Sequence, residues 1–164
     1  KGRPGEKLGL FEEGAGALGK IDRNTHFGIY GTLFRFPEPA FDPVPVAMVH
    51  EVKPGPAEIL TVLDGESVER FQIQILEVHR QFRSNGKGLV IKVTDPRLLR
   101  RTNGIVQGMS GSPILQNNRL VGAVTHVYIN DPTRGFGILA EWMIYEAGID
   151  LQHNEGGNWL PQAS

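Results

Sequence analysis

Gly108-Met-Ser-Gly-Ser-Pro-Ile-Leu-Gln-Asn-Asn-Arg-Leu-Val-Gly-Ala-Val-Thr-His-Val-Tyr-Ile129 sets a glycine- and serine-rich turn in front of two apolar, β-branched runs. Asn117-Asn118 divides Ser112-Pro-Ile-Leu115 from the run Arg119 to Ile129, and asparagine tolerates the positive φ that a two-residue hairpin requires. The segment therefore reads as loop, strand, tight turn and returning strand, with Pro113 closing the loop.

The same rhythm continues outward. The 21 glycines and 11 prolines break the chain at intervals of about eight to twelve residues, the spacing of short antiparallel strands. Alternation and β-branched or aromatic content predict strands over Gly28–Phe34, Val44–Val52, Gly55–Leu63, Glu69–His79 and Gly88–Val93, with Phe71, Ile73 and Ile75 on one face. Asp64-Gly65 is a second hairpin signal. Near the end, Leu139, Trp142, Met143, Glu146 and Ala147 fall at helical spacing and predict one helix over Ile138–Ile149, stopped at Gly148. Arg83–Gly88 reads as an exposed loop and Asn154–Asn158 as a loose tail. The expected fold class is mostly β, a barrel or sandwich with a C-terminal helix.

The chemistry lies in Gly108–Pro113. A serine hydroxyl is a poor nucleophile, so a hydrolase must present it on a tight turn, beside a base, with backbone N–H groups aimed at the developing oxyanion. Gly-x-Ser-Gly-x-Pro supplies such a turn: Gly108 permits an unusual backbone, its N–H and that of Ser110 form the expected oxyanion hole, and Gly111 leaves space beside Ser110. The following strand offers an edge at Thr125, His126 and Val127 on which an extended peptide substrate can pair. Loop, hairpin and Val121-Gly-Ala-Val-Thr125 together are similar to the nucleophile region of trypsin-like enzymes, which makes the expected architecture a chymotrypsin-like antiparallel double β-barrel, whole or incomplete. The Gly-x-Ser-x-Gly elbow of α/β-hydrolases does not occur.

Composition narrows the field. With 17 basic and 18 acidic residues the chain has no broad electrostatic footprint for nucleic acid. The absence of cysteine excludes disulfide scaffolds, thiolate zinc sites and cysteine nucleophiles. The scattered histidines argue against a metal site, and no phosphate-cradling glycine loop is present, so no cofactor is expected. No apolar run approaches the roughly 20 residues that span a bilayer. At 164 residues one domain is expected, and the opening Lys1-Gly-Arg-Pro-Gly5 reads as the interior of a longer polypeptide.

Gly104-Ile-Val-Gln-Gly-Met-Ser-Gly-Ser-Pro-Ile-Leu-Gln-Asn117, continued by Leu120-Val-Gly-Ala-Val-Thr-His-Val127 and Asn130-Asp-Pro-Thr-Arg-Gly135, resembles the stage IV sporulation protein B family of serine peptidases. Gly2–Glu6, Asn24–Gly31, Lys92–Leu99 and Glu141-Trp-Met143 extend the resemblance over nearly the whole chain. It implies an endopeptidase of endospore-forming bacteria, secreted from the forespore into the space between the two membranes. There it would cleave a regulatory partner of a membrane-embedded processing protease and trigger late mother-cell gene expression. The family's serine falls on Ser110 and its acidic residue on Asp95. Its histidine belongs to a Gly-His motif upstream of Lys1, and no histidine here follows a glycine. The resemblance thus implies a peptidase domain over 1–164 that lacks its N-terminal portion, without the family's peptide-binding PDZ module or membrane anchor. Its partners would be a protein or peptide substrate and its own upstream segment carrying the base.

Each candidate has a plainer reading beside it. Asp95 precedes Pro96 and suits an Asx-type turn as well as a triad carboxylate; Asp64 is held in reserve. His26, His50, His79 and His153 read as surface or structural residues, and His126 as lining of the substrate pocket or a core hydrogen-bonding group. Asp131-Pro-Thr-Arg134 reads as a surface turn that can border a specificity pocket. Two rivals to an intact peptidase stay open: a peptide-binding module that kept the cleft and lost catalysis, and an autoproteolytic product that needs its upstream half.

Overall fold

A computed structural model describes residues 16–36, 42–79 and 87–149. Two antiparallel strands, β1 (Gly19–Thr25) and β2 (Gly28–Leu33), form a separate ribbon. The remaining strands are β3 (Gly55–Val62), β4 (Val68–Val78), β5 (Leu89–Val93), β6 (Pro113–Gln116), β7 (Arg119–Tyr128) and β8 (Asp131–Leu139). They close into one barrel in the order β3-β4-β5-β8-β7-β6. Two short helices, α1 (Pro96–Thr102) and α2 (Ala140–Glu146), follow β5 and β8.

Period-2 patterning explains the barrel. On β4, Phe71, Ile73 and Ile75 point inward and are buried while Gln72 faces out, and a register shift after Ile75 turns Glu77 outward. They meet Ile59 of β3, Ile91 and Val93 of β5, and Ile114, Val121 and Leu139 from the other side of the barrel in one core. Closure joins β3 to β6 through Glu58↔Leu115 and Ile59↔Ile114. The predicted turns hold: Asn117 and Asn118 have φ of 52° and 58°, and Gly65, in the β3–β4 turn, has φ of 58°.

Three expectations are corrected. Val44–Val52 is no strand: Pro43 and Pro45 cannot donate to a ladder, and only Val46 bridges, to Leu120, before a turn at 49–51. Asp131-Pro-Thr-Arg134 is no surface turn but the start of β8, the turn lying at Ile129-Asn130. The terminal helix is shorter than predicted, because Ile138 and Leu139 finish β8 before it begins. The loop and tail expected at Arg83–Gly88 and Asn154–Asn158 lie wholly or mostly outside the described residues, as does His153.

Candidate active site

Ser110 stands on a loop pinned from below. Ile105, Val106 and Met109 are buried in the core, and Ile105 N–H donates to Pro132 O at 2.7 Å. Met109 N–H donates to Val106 O, Ser112 N–H to Met109 O, and Gly111 N–H to Val124 O of β7. With its neighbours so held, the chain turns outward between Gly108 (φ 93°) and Gly111 (φ 88°), angles that L side chains rarely adopt. Ser110 is exposed at the crest, whereas Ser112, two residues on, is buried.

The loop also sorts its own N–H groups. Those of Met109, Gly111 and Ser112 are used internally, while those of Gly108 and Ser110 find no acceptor among the described residues. These are the two donors expected to hold an oxyanion. The Ser110 hydroxyl donates to Thr125 O at 2.9 Å. A carbonyl accepts a hydrogen bond but takes up no proton near neutral pH, so Ser110 is positioned here without being activated.

The structure brings Thr125, His126 and Val127 next to this loop. β6 pairs with β7 only as far as Ala123. From His126 onward β7 has β8 on one flank, through His126↔Phe136 and Val127↔Gly135, and no strand among the described residues on the other. His126 is exposed and so makes no core hydrogen bond. Among the described residues no histidine is hydrogen-bonded to Ser110: His26 is exposed at the β1–β2 turn, His50 is exposed in the turn before β3, and His79 pairs with Glu77 at 2.9 Å. No group of His, Asp and Glu among the described residues could hold a metal.

Asp95 is used in a way its sequence context left open. It is 3% exposed and caps α1, one oxygen accepting from Arg97 N–H at 2.8 Å and the other from Gln72 N–H at 3.1 Å. The Arg97 guanidinium bonds both oxygens, at 3.1 and 2.8 Å. These bonds, Arg97's foremost, hold the carboxyl well below the usual carboxylate range against the opposing effect of burial. No histidine among the described residues touches it. Because its folded pKa is depressed, its stabilisation is present at neutral pH and is lost as pH falls below the unfolded value of about 3.9. Asp95→Asn is expected to cost about 1–3 kcal/mol in urea unfolding at pH 7 and to flatten the stability loss below about pH 4. A triad carboxylate would behave otherwise, since its amide costs about 10⁴-fold in turnover; a loss of that size in a well-folded Asp95→Asn protein would return Asp95 to the catalytic machinery.

Residues 1–144 match the SpoIVB peptidase S55 family. The chain belongs to that family. No curated protein matches it. Among solved structures it is similar to the Rv3671c protease of M. tuberculosis. The active form superimposes with a TM-score of 0.54 at 17% identity over 79% of this chain and 58% of that one. The inactive form gives 0.53 at 18% identity over 79% and 67%. The chain thus spans well under two thirds of the active-form protease, and at this identity the likeness shows the fold: a protease-like β-barrel.

The sequence anticipated the glycine-bounded loop that presents Ser110 and missed α1, which decides how Asp95 is used. The signal was present: Asp95 at the cap, Pro96 at the first helical position, Arg100-Arg101 in the last turn and Asn103 after it, where φ is 59°.

Proposed function

We propose that this chain carries the nucleophile, the oxyanion donors and the substrate edge of a serine endopeptidase, and that a histidine upstream of Lys1 serves as its base. One observation carries the reading: Ser110 is the exposed crest of a loop whose flanking residues are buried, with the N–H groups of Gly108 and Ser110 left over. Ser110 attacks the scissile carbonyl, the histidine takes the hydroxyl proton, the two N–H groups hold the oxyanion, and an acyl-enzyme forms as the amine leaves. Asp95 acts as the cap of α1. Family membership supports a place in endospore formation, in the space between forespore and mother cell, cleaving a regulatory partner of a membrane-embedded processing protease.

A second reading, a peptide-binding module, draws on the Ser110 hydroxyl resting against a carbonyl. Intact mass after treatment with a fluorophosphonate separates the two. A single adduct on the full-length protein, lost in Ser110→Ala and absent from residues 1–164 alone, is the expected result. An adduct on residues 1–164 alone would place a base inside this chain. No adduct on either form would leave the binding module standing.

A further inference from the structure

The outer face of β8 and its neighbour β5, beside the open flank of β7, carries two cations, Arg134 and Lys92, that no carboxylate among the described residues pairs. Gly135 and Gly137 of β8 face the barrel interior, where an added Cβ would lie 2.6 Å from Ile105 Cδ1 and 2.8 Å from Ile114 Cδ1 respectively. Arg134 and Phe136 alternate with them and therefore face outward. Phe136 stacks on Tyr128 with centroids 4.6 Å apart. The Arg134 guanidinium lies 5.2 Å from the Tyr128 centroid and the Lys87 ammonium 4.9 Å from that of Phe136. Two cations thus bracket an aromatic pair.

Lys92 of β5 stands directly opposite Arg134 across the ladder. Like charges at that position repel, and neither forms an ion pair among the described residues. Arg134 Nε is buried without an acceptor among the described residues. Asp131 is turned to its own loop, its Oδ1 accepting from Thr133 N–H at 3.1 Å and Thr133 Oγ1 at 2.6 Å. The patch therefore presents cations held on aromatic faces, the arrangement that offers a fixed guanidinium to a carboxylate.

We propose that Arg134, reinforced by Lys92, selects an acidic side chain on an extended peptide laid along β7. This rests on the peptidase reading and names its substrate class. A strand paired to the open flank of β7 sends alternate side chains over His126 and Tyr128. A glutamate there reaches the guanidinium stacked on Tyr128, whereas a lysine meets the Arg134 and Lys92 cations.

The test uses the full-length Ser110→Ala protein, which binds without cutting, and fluorescein-labelled extended decapeptides in which a single glutamate occupies successive positions, each with a glutamine twin. Anisotropy is expected to show one register at which the glutamate peptide binds roughly five- to tenfold tighter than its twin. Arg134→Gln is expected to remove that preference, and Arg134→Glu to turn it toward lysine, with melting temperatures unchanged. Equal binding of the twins at every register, or a preference that survives Arg134→Gln combined with Lys92→Gln, overturns the proposal. So does an Arg134-dependent affinity for phosphatidylserine vesicles without discrimination among peptides, which would make the patch a membrane contact. Fluorophosphonate labelling of Ser110 in the parent full-length protein reports separately on the peptidase reading.

Discussion

Replacing Ser110 by alanine is expected to lower hydrolysis of fluorescein-labelled casein by the full-length protein about 10⁴-fold or more, with the melting temperature shifted by no more than about 2 °C. The two halves of this expectation have separate causes. Turnover is expected to fall because Ser112, the other serine of the motif, is buried and cannot stand in for Ser110. The residual rate is what substrate binding and the oxyanion donors supply without a covalent step. Stability hardly changes because Ser110 is exposed and its side chain makes one hydrogen bond, to Thr125 O, while the loop is held by Ile105, Val106 and Met109 and by backbone bonds that alanine retains. Ser112→Ala is the matched control and should keep turnover within a few-fold. Loss of activity in Ser112→Ala but not in Ser110→Ala would sink the assignment.

On the proposed reading, substrate binding and the resting state of Ser110 would be linked through one atom. Thr125 O, which accepts the Ser110 hydroxyl, lies on the part of β7 where an extended peptide would pair. A substrate N–H that took this carbonyl would compete with the hydroxyl and free it to turn toward a base.

The elements legible in the sequence share a physical trait: strong period-2 patterning bounded by turn residues whose φ requirement is visible in their identity. β3, β4 and β5 fall within a residue of the expected limits, and the β6–β7 hairpin turns on Asn117-Asn118 as its composition requires. β1 was missed because Lys20, Asp22, Arg23 and Asn24 leave almost no apolar face to read; the ribbon is largely exposed. β8 was missed because Asp131-Pro132 carries turn chemistry and because Gly135 and Gly137, needed where the strand meets Ile105 and Ile114, remove the inward side chains that would have shown the period. Val44–Val52 failed the other way, its valines suggesting a ladder that its prolines forbid. In the candidate site, the loop that exposes Ser110 was legible because its glycines are conformationally unusual. The cap role of Asp95 had a local signal in Pro96, Arg100-Arg101 and Asn103, but its bond from Gln72, 23 residues away, had none.

Phe71→Ala is expected to cost about 3–5 kcal/mol in urea unfolding, against total stabilities of about 5–15 kcal/mol for domains of this kind. Phe71 is fully buried, pairs across the ladder with the equally buried Ile59, and shares its face with Ile73 and Ile75. Truncation removes the largest side chain of that face and leaves a void that a closed barrel cannot collapse around without breaking ladder bonds. The loss reaches α1 as well. The Arg97 guanidinium lies 5.1 Å from the Phe71 centroid and from there bonds Asp95 and Arg70 O. The ring thus floors the group that holds the cap. Phe71→Leu, which keeps most of the volume, is expected to cost about 1–2 kcal/mol. Adding Asp95→Asn to Phe71→Ala should destabilise by less than the sum of the single effects, because the two changes disturb one network. Strict additivity would separate cap from core. A Phe71→Ala protein within about 1 kcal/mol of the parent would mean that β3 and β4 do not pack their apolar faces into this barrel, and the loop carrying Ser110 would lose the support from which its geometry follows.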